Sequence, residues 1–584
     1  MPSANPRSSP ADDPGPSLTR GEFLRRRRRR NFRRGLIFLV ILVVAGYSVR
    51  PAYRLLERWR ARALVRQGEE LARQQLFGEA IEKLETALRL DSANARALRG
   101  LSEVYSRFEL PSALPLYRAL ASLPESTDED RHEYIAAALR LQRFDLAESE
   151  LARLLARTNI STQTRTQATE YFFRLGDMKR ALTFADQIRN AAPSNNLNHL
   201  RVAKILLHMG STEDQVQALN VLQSLDRPDR LERLNMLEML ANAPALPLKE
   251  TQTILARLPT TADSSPGEHF LRAEILGRLD PKERGALIAA AVERYRAGTS
   301  DQQAELILWL NRMGEHLRVL ETWRPEDLAK HAAPIAGYLE SMTRARRWAE
   351  LQKAVASPLP IDVWLLEALR AQAATQLAQP SLAEEHWRRA HEQTTGNPAR
   401  LRALGETALR LGATEQAVIA FENLTKDRLH RATGFRRLAQ IHERSRDATR
   451  LRLTMQAWSA SVPDDPVPEN AYCYLSALLA LDVEDAYQRA RLLFERQPSR
   501  LTHRLTLAFL EFRRNNPREA LQYLERARPP GQIPPPMAAL VEGLILEANG
   551  QSARAAEAIK SLTPASLLPE EQELLRRLQA KTKG

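Results

Sequence analysis

The chain has 584 residues, 43% hydrophobic and 27% charged, with one Cys, 34 Pro and 23 Gly. One thiol excludes an internal disulfide and every Cys-based zinc site, and so little Pro and Gly excludes collagen and disorder throughout. Residues 1–62 hold fifteen Arg against four acids, a net of +11 within a total of +14, and the remaining 522 residues carry only +3. A nearly neutral body argues against nucleic acid as a partner, because wrapping it needs a broad phosphate-neutralising field.

Residues 1–34 read as a disordered basic cytoplasmic tail. They are Pro-, Ser- and Asp-rich without apolar period, then run through Arg25 to Arg30, Arg33 and Arg34. Residues 35–56 read as a transmembrane helix with its juxtamembrane segment. Within it, residues 35–49, GLIFLVILVVAGYSV, carry no charge. That run is about 22 Å long as a helix, short of a ~30 Å hydrocarbon core, so Arg34 and Arg50 would snorkel and the bilayer would thin. LIFLVILVV is apolar on every face, which a half-buried helix is not. Eight Arg lie within the ten residues before the span, so this end stays cytoplasmic and the rest is exported. The Arg run from Arg25 to Arg34 also attracts anionic lipid. The expectation is a single-pass protein of a bacterial inner membrane with a periplasmic C-terminal domain. Two alternatives stand beside it. Arg29-Arg30-Asn31-Phe32 partly matches a twin-arginine export signal, which would release a soluble binding or chaperone protein after cleavage near Ala45. A receptor on an organelle surface has the same layout.

From residue 61 a period of 34 residues governs the chain. Ala383, Ala417 and Leu451 are 34 apart; Trp387, Phe421 and Met455 follow four later, and Ala390, Leu424 and Trp458 seven later. In block 398–431, Leu401, Leu404 and Gly405 make one face of a first helix, and Ala417, Phe421 and Leu424 one face of a second. Small residues at positions 8 and 20 let the two backbones approach. Neither helix buries its face alone, so the next repeat must cover it. This pattern resembles the tetratricopeptide repeat family. The resemblance implies an all-α solenoid (superhelix) of helical hairpins with no sheet, and a protein-binding scaffold, here for a cell-envelope assembly. The register is plain over 61–195, with a shortened copy around Tyr105, Ala113 and Tyr117, and over 364–569. Residues 196–363 read as helical but out of register, with Pro259 to Gly267 as a loop and hinge between two arms. Residues 570–584 read as a capping helix and tail.

No phosphate loop, His-Glu-x-x-His or Gly-x-Ser-x-Gly motif occurs, so no catalytic, cofactor or metal residue is expected and the chain reads as a non-enzyme. His386 and His391 read as a solvated helix face, Glu384-Glu385 and Glu570-Glu571 as surface acids, and Cys473 as a core residue. The resemblance further implies that positions 2, 5, 6, 9, 12 and 13 of each first helix line a concave groove. In the two central blocks these are Arg402, Glu406, Arg410, Arg436, Arg437, Gln440, Glu443 and Arg444, a mildly basic stretch. In the last three they include Tyr472, Leu475, Leu478, Leu505, Phe509, Phe512, Leu540, Val541 and Leu544. Two uses of that apolar run stay open: a groove for a partner's amphipathic helix, or packing on neighbouring helices and the chain's own terminal helix. Block 61–94 offers Val65 and Glu69 where the family's carboxylate-clamping subtype has Lys and Asn, so that subtype is not expected there.

Overall fold

The computed structural model describes residues 56–582 apart from 226–227, 244–245, 247, 259–263, 464, 499, 526–536 and 561. The expected tail and span, up to residue 55, and residues 259–263 of the expected hinge lie outside the described residues; Pro266 and Gly267, expected in that loop, instead open a helix that Ser265 caps. Among the described residues there is no strand, and no helix is long and apolar enough to cross a membrane.

The described residues form two compact units, one of residues up to Val104 with Ser122–Glu125, the other of Tyr105–Ala121 with Ser126 onward. The first unit holds α1 (56–73), α2 (Phe77–Leu90) and α3 (Ala95–Arg107) as far as Val104. Its two helix faces meet at Gly68, where a Cβ would lie 2.8 Å from Leu84. Glu69 accepts two bonds from Arg96, at 3.1 and 2.6 Å.

The second unit continues through α4 (Ala113–Ala121), α5 (Asp128–Arg140), α6 (Phe144–Leu155), α7 (Thr162–Leu175), α8 (Met178–Ala191), α9 (Asn196–Met209) and α10 (Thr212–Gln223). Then come α11 (Arg230–Asn242), α12 (Leu248–Arg257), α13 (Pro266–Leu279), α14 (Arg284–Tyr295), α15 (Ser300–Arg312), α16 (His316–Thr322), the single turn α17 (Pro325–Leu328), α18 (Ala332–Arg344) and α19 (Trp348–Ala354). The last stretch is α20 (Val363–Gln376), α21 (Pro380–Thr394), α22 (Pro398–Leu411), α23 (Thr414–Thr425), α24 (Arg431–Arg444), α25 (Ala448–Ser461), α26 (Pro466–Leu479), α27 (Val483–Arg496), α28 (Leu501–Arg513), α29 (Pro517–Glu525), α30 (Met537–Ala548), α31 (Ser552–Ile559) and α32 (Pro569–Thr582).

The α22–α23 hairpin shows why each pair forms. Asn397 caps α22 by accepting the Arg400 N–H at 3.0 Å, and Pro398 starts the helix with its φ already set. Leu401, Leu404, Ala408, Ala417, Phe421 and Leu424 are all buried between the helices. A Cβ on Gly405 would stand 2.6 Å from the Phe421 ring, so the glycine makes the seat for the aromatic. The turn is a Schellman motif: Gly412 at φ 79° donates to Leu409 O at 3.1 Å, and Ala413 to Ala408 O at 2.8 Å. The same left-handed residue recurs every 34 positions at Gln142, Gly176 and Gly210, and at Ala378, Gly412, Arg446 and Ala480.

The repeat runs on where the sequence reads as out of register. First helices start at residues 196, 230, 266, 300, 332 and 363, so the hairpin length merely drifts by a few residues. First helices pack on first helices, as α9 on α11, α15 on α18 and α26 on α28, building an inner layer with the second helices outside it. This is a tetratricopeptide-like helical repeat.

Two further contacts tie the second unit together. The α32 helix returns to α26, where Tyr474 donates its hydroxyl to Glu571, and Arg446 donates to Ala565 O at 2.8 Å. Farther apart in sequence, Phe108 meets His430 edge-on at 5.5 Å, Arg428 donates to the Tyr105 hydroxyl at 3.4 Å, and Glu109 pairs with Arg436 at 3.2 Å. One round of hairpins therefore brings the corner before α4 back against the start of α24.

Candidate protein-binding surface

The inner faces of α5, α7, α9 and α11 enclose a cleft of about 610 Å³. Arg140 stands at the end of α5; Gln167, Glu170, Phe173 and Arg174 lie on α7; Leu197, Arg201 and Lys204 on α9; Asn235 and Met239 on α11. A second cleft of about 630 Å³ shares Lys204, Asn235 and Met239 and adds His208 and Glu238. Helical spacing sets this arrangement, because residues three and four apart on one helix share a face.

The cleft is amphipathic. Phe173 is half-buried, with His208 edge-on at 4.8 Å and the Lys204 ammonium 5.5 Å from its centroid. Leu197 is 49% exposed. Arg174 is spoken for, donating to Leu139 O at 2.9 Å and pairing with Glu170 at 2.5 Å. The other three cations are not. Arg140 donates to Ser106 Oγ, and Arg201 reaches only Asn198 Oδ1 at 3.4 Å. Among the described residues no carboxylate stands within ion-pair distance of Arg140, Arg201 or Lys204. Burial pushes the Arg201 pKa down, an effect the charge of Glu170 opposes.

The residues expected to line a groove fall into two groups. Arg402, Arg410 and Arg444 are exposed on inner helices. Arg410 bonds Thr407 at 2.8 Å, and both line a small cleft of about 170 Å³ with Leu308, Glu340 and Arg344. Arg437 pairs with Glu406 at 2.6 Å and bonds Gln440 at 2.9 Å, while Arg436 reaches Glu109. The apolar group is different. Tyr472, Leu475, Leu505, Phe509 and Leu544 are buried, and Phe512 is half-buried. Tyr472, Leu475, Phe509 and Leu544 belong to one core with Leu575 and Leu578 of α32, while Leu505 packs with Leu501 and Ala538. The chain's own terminal helix and neighbouring helices take the place that an open apolar groove would offer.

Other placements also differ from the sequence reading. His386 does not face solvent; its Nδ1 lies 2.6 Å from Glu367, which also pairs with Arg370 at 2.7 Å. Burial raises the Glu367 pKa, but His386 and Arg370 outweigh it and hold the carboxyl below its usual value. His391 is half-buried against Gln416 at 3.0 Å. Glu571 is buried beneath α26, where burial pushes its pKa up. Cys473 is buried in the core. Among the described residues no three His, Cys, Asp or Glu side chains come together to hold a metal ion. The reading of positions 6, 9 and 13, applied only to other blocks, reaches Arg201, Lys204 and Arg140 once carried onto 128–229.

No family model matches the chain, and no curated protein does. It is similar to several solved helical structures. The pentatricopeptide repeat protein PPR10 from maize is 15% identical, over 89% of this chain and 85% of that one, with a TM-score of 0.33. The Cut9–Hcn1 hetero-tetramer of the APC/C gives 12% identity, 89% and 96% coverage and a TM-score of 0.28. Yeast Tom70 gives 12%, 90% and 96%, with 0.26.

Proposed function

We propose that this chain is a non-catalytic scaffold that binds other proteins on the inner layer of its hairpin array. The observation that carries this reading is the amphipathic cleft shared by four consecutive first helices, α5, α7, α9 and α11. A repeat array holds such a surface rigid before binding, so little ordering entropy is lost when a partner docks. The uncharged run 35–49 and the Arg excess before it support the finer reading, a single membrane anchor with the array displayed outside the cytoplasm for an envelope assembly.

Cross-linking in intact cells, followed by purification of the full tagged chain from membranes, tests both levels. Defined proteins should be retained in fixed ratio to the chain. Recovery of the chain alone would overturn the scaffold. Protease added from the cytoplasmic side should leave the array intact, and digestion there would overturn the anchored, exported topology.

A further inference from the structure

Resting on that scaffold reading, we infer that the α5–α11 cleft takes an extended acidic segment of a partner protein, two carboxylate clusters flanking an apolar residue. Charge complementarity selects the class. Four cations, Arg140, Arg174, Arg201 and Lys204, line the cleft against one carboxylate, Glu170, which Arg174 already engages. A half-buried guanidinium that keeps only one long bond to an amide gains more from an incoming carboxylate than an exposed one does, because water screens the pair less.

The layout sets the spacing. Arg140 lies on α5, and Arg201 and Lys204 on α9, with Phe173 of α7 between them. Packed helices stand about 8–10 Å apart, so the two cationic ends are about 16–20 Å apart. An extended chain covers that in about six residues at ~3.3 Å each. The apolar residue of the segment then falls midway, over Phe173 and beside Met239. Side-chain carboxylates suffice for this pattern, so a free C-terminus is not required.

The test uses full-length protein in detergent and a peptide with both ends blocked, Ser-Asp-Asp-Gly-Leu-Phe-Gly-Asp-Asp-Ser, its amino end acylated by a rhodamine dye and its carboxyl end amidated. Anisotropy should report saturable binding that weakens with added salt. Replacing the four Asp by Asn should weaken it at least tenfold. So should Lys204→Glu, an exposed change that leaves the fold intact, and Arg201→Gln. Phe173→Ala should weaken it several-fold, and Arg444→Ala, outside the cleft, should leave it unchanged. Equal binding of the Asn peptide, or no effect of Lys204→Glu and Arg201→Gln, would overturn the inference. Tighter binding of an oligouridylate, lost in those same variants, would also overturn it and assign the cleft to RNA. Cross-linked partners that persist in the Lys204→Glu variant would leave the scaffold standing and remove this cleft from it; no partner in either protein would remove the scaffold itself.

Discussion

At position 405 the repeat depends on a missing methyl group. The Phe421 ring fills the space that a Cβ would occupy, and the same relation, sixteen residues apart, joins Gly68 to Leu84 and Gly543 to Ile559. Gly405→Ala should cost about 1–3 kcal/mol through overpacking, read as a lower urea midpoint. Gly285 is the control. Nothing lies within 4 Å of its would-be Cβ, so Gly285→Ala should raise stability by up to about 1 kcal/mol from helix propensity alone. A second residue-scale effect concerns His503, which is 2% exposed. Burial, then the charge of Arg500, pushes its pKa from 6.5 down to about 4. The folded chain therefore binds fewer protons than the unfolded chain between those values. Stability is full above about pH 6.5 and falls as pH drops toward 4, by about 3 kcal/mol at most. Urea midpoints across that range should fall less steeply in His503→Gln, which has no proton to gain; equal slopes would remove His503 from the account.

Among elements, α32 departs furthest from a mere solvating end. Its Glu571 accepts the Tyr474 hydroxyl and the Leu568 N–H at 2.7 Å, so one carboxylate both starts the helix and fastens it to α26. Glu571→Ala should leave two donors without an acceptor and cost about 1–3 kcal/mol, seen as faster amide exchange across residues 569–582 than in the parent. The periodicity revealed that these residues are helical, but not that one acid of a charged pair is buried, because a pattern of local charges carries no information about a helix two hairpins away. The middle array was hidden for another reason. Hairpins that vary between 31 and 36 residues keep their packing while breaking any fixed count. At Gln142, Ala378 and Arg446 the left-handed turn is held by ordinary residues, so the glycine that would flag it is absent. The cations of the α5–α11 cleft were within reach of the register rule; the burial of Tyr472 and Phe509 was not, since an apolar inner face looks the same whether a partner or the chain's own helix covers it.

For the second unit as a whole, the decisive contact is the one that sequence pattern never signals, between residues more than three hundred positions apart. Phe108 against His430, Arg428 on Tyr105 and Glu109 with Arg436 join the corner before α4 to the start of α24. Farther along, Arg143, which precedes α6, acts electrostatically on Asp465 and Arg500, which precede α26 and α28, and Asp145 of α6 acts on Arg500. Helices stacked only on their neighbours are joined by nearest-neighbour terms alone, so a contact across the array adds a constraint that those terms lack. Its components are weak singly. The Glu109–Arg436 pair has side chains 51% and 39% exposed, a class that contributes 0–1 kcal/mol and is screened by salt. Closure of the second unit should therefore respond to charge. The single native thiol, Cys473, is buried, so cysteines placed at 109 and 436 can be joined selectively by a short bis-maleimide. The Glu109→Cys, Arg436→Cys chain should cross-link rapidly within one molecule. A further Arg428→Glu change should slow that reaction several-fold, because it removes a donor to Tyr105 and places a carboxylate at the seam. Failure of the cysteine pair to react within one molecule would mean that the array does not close in solution.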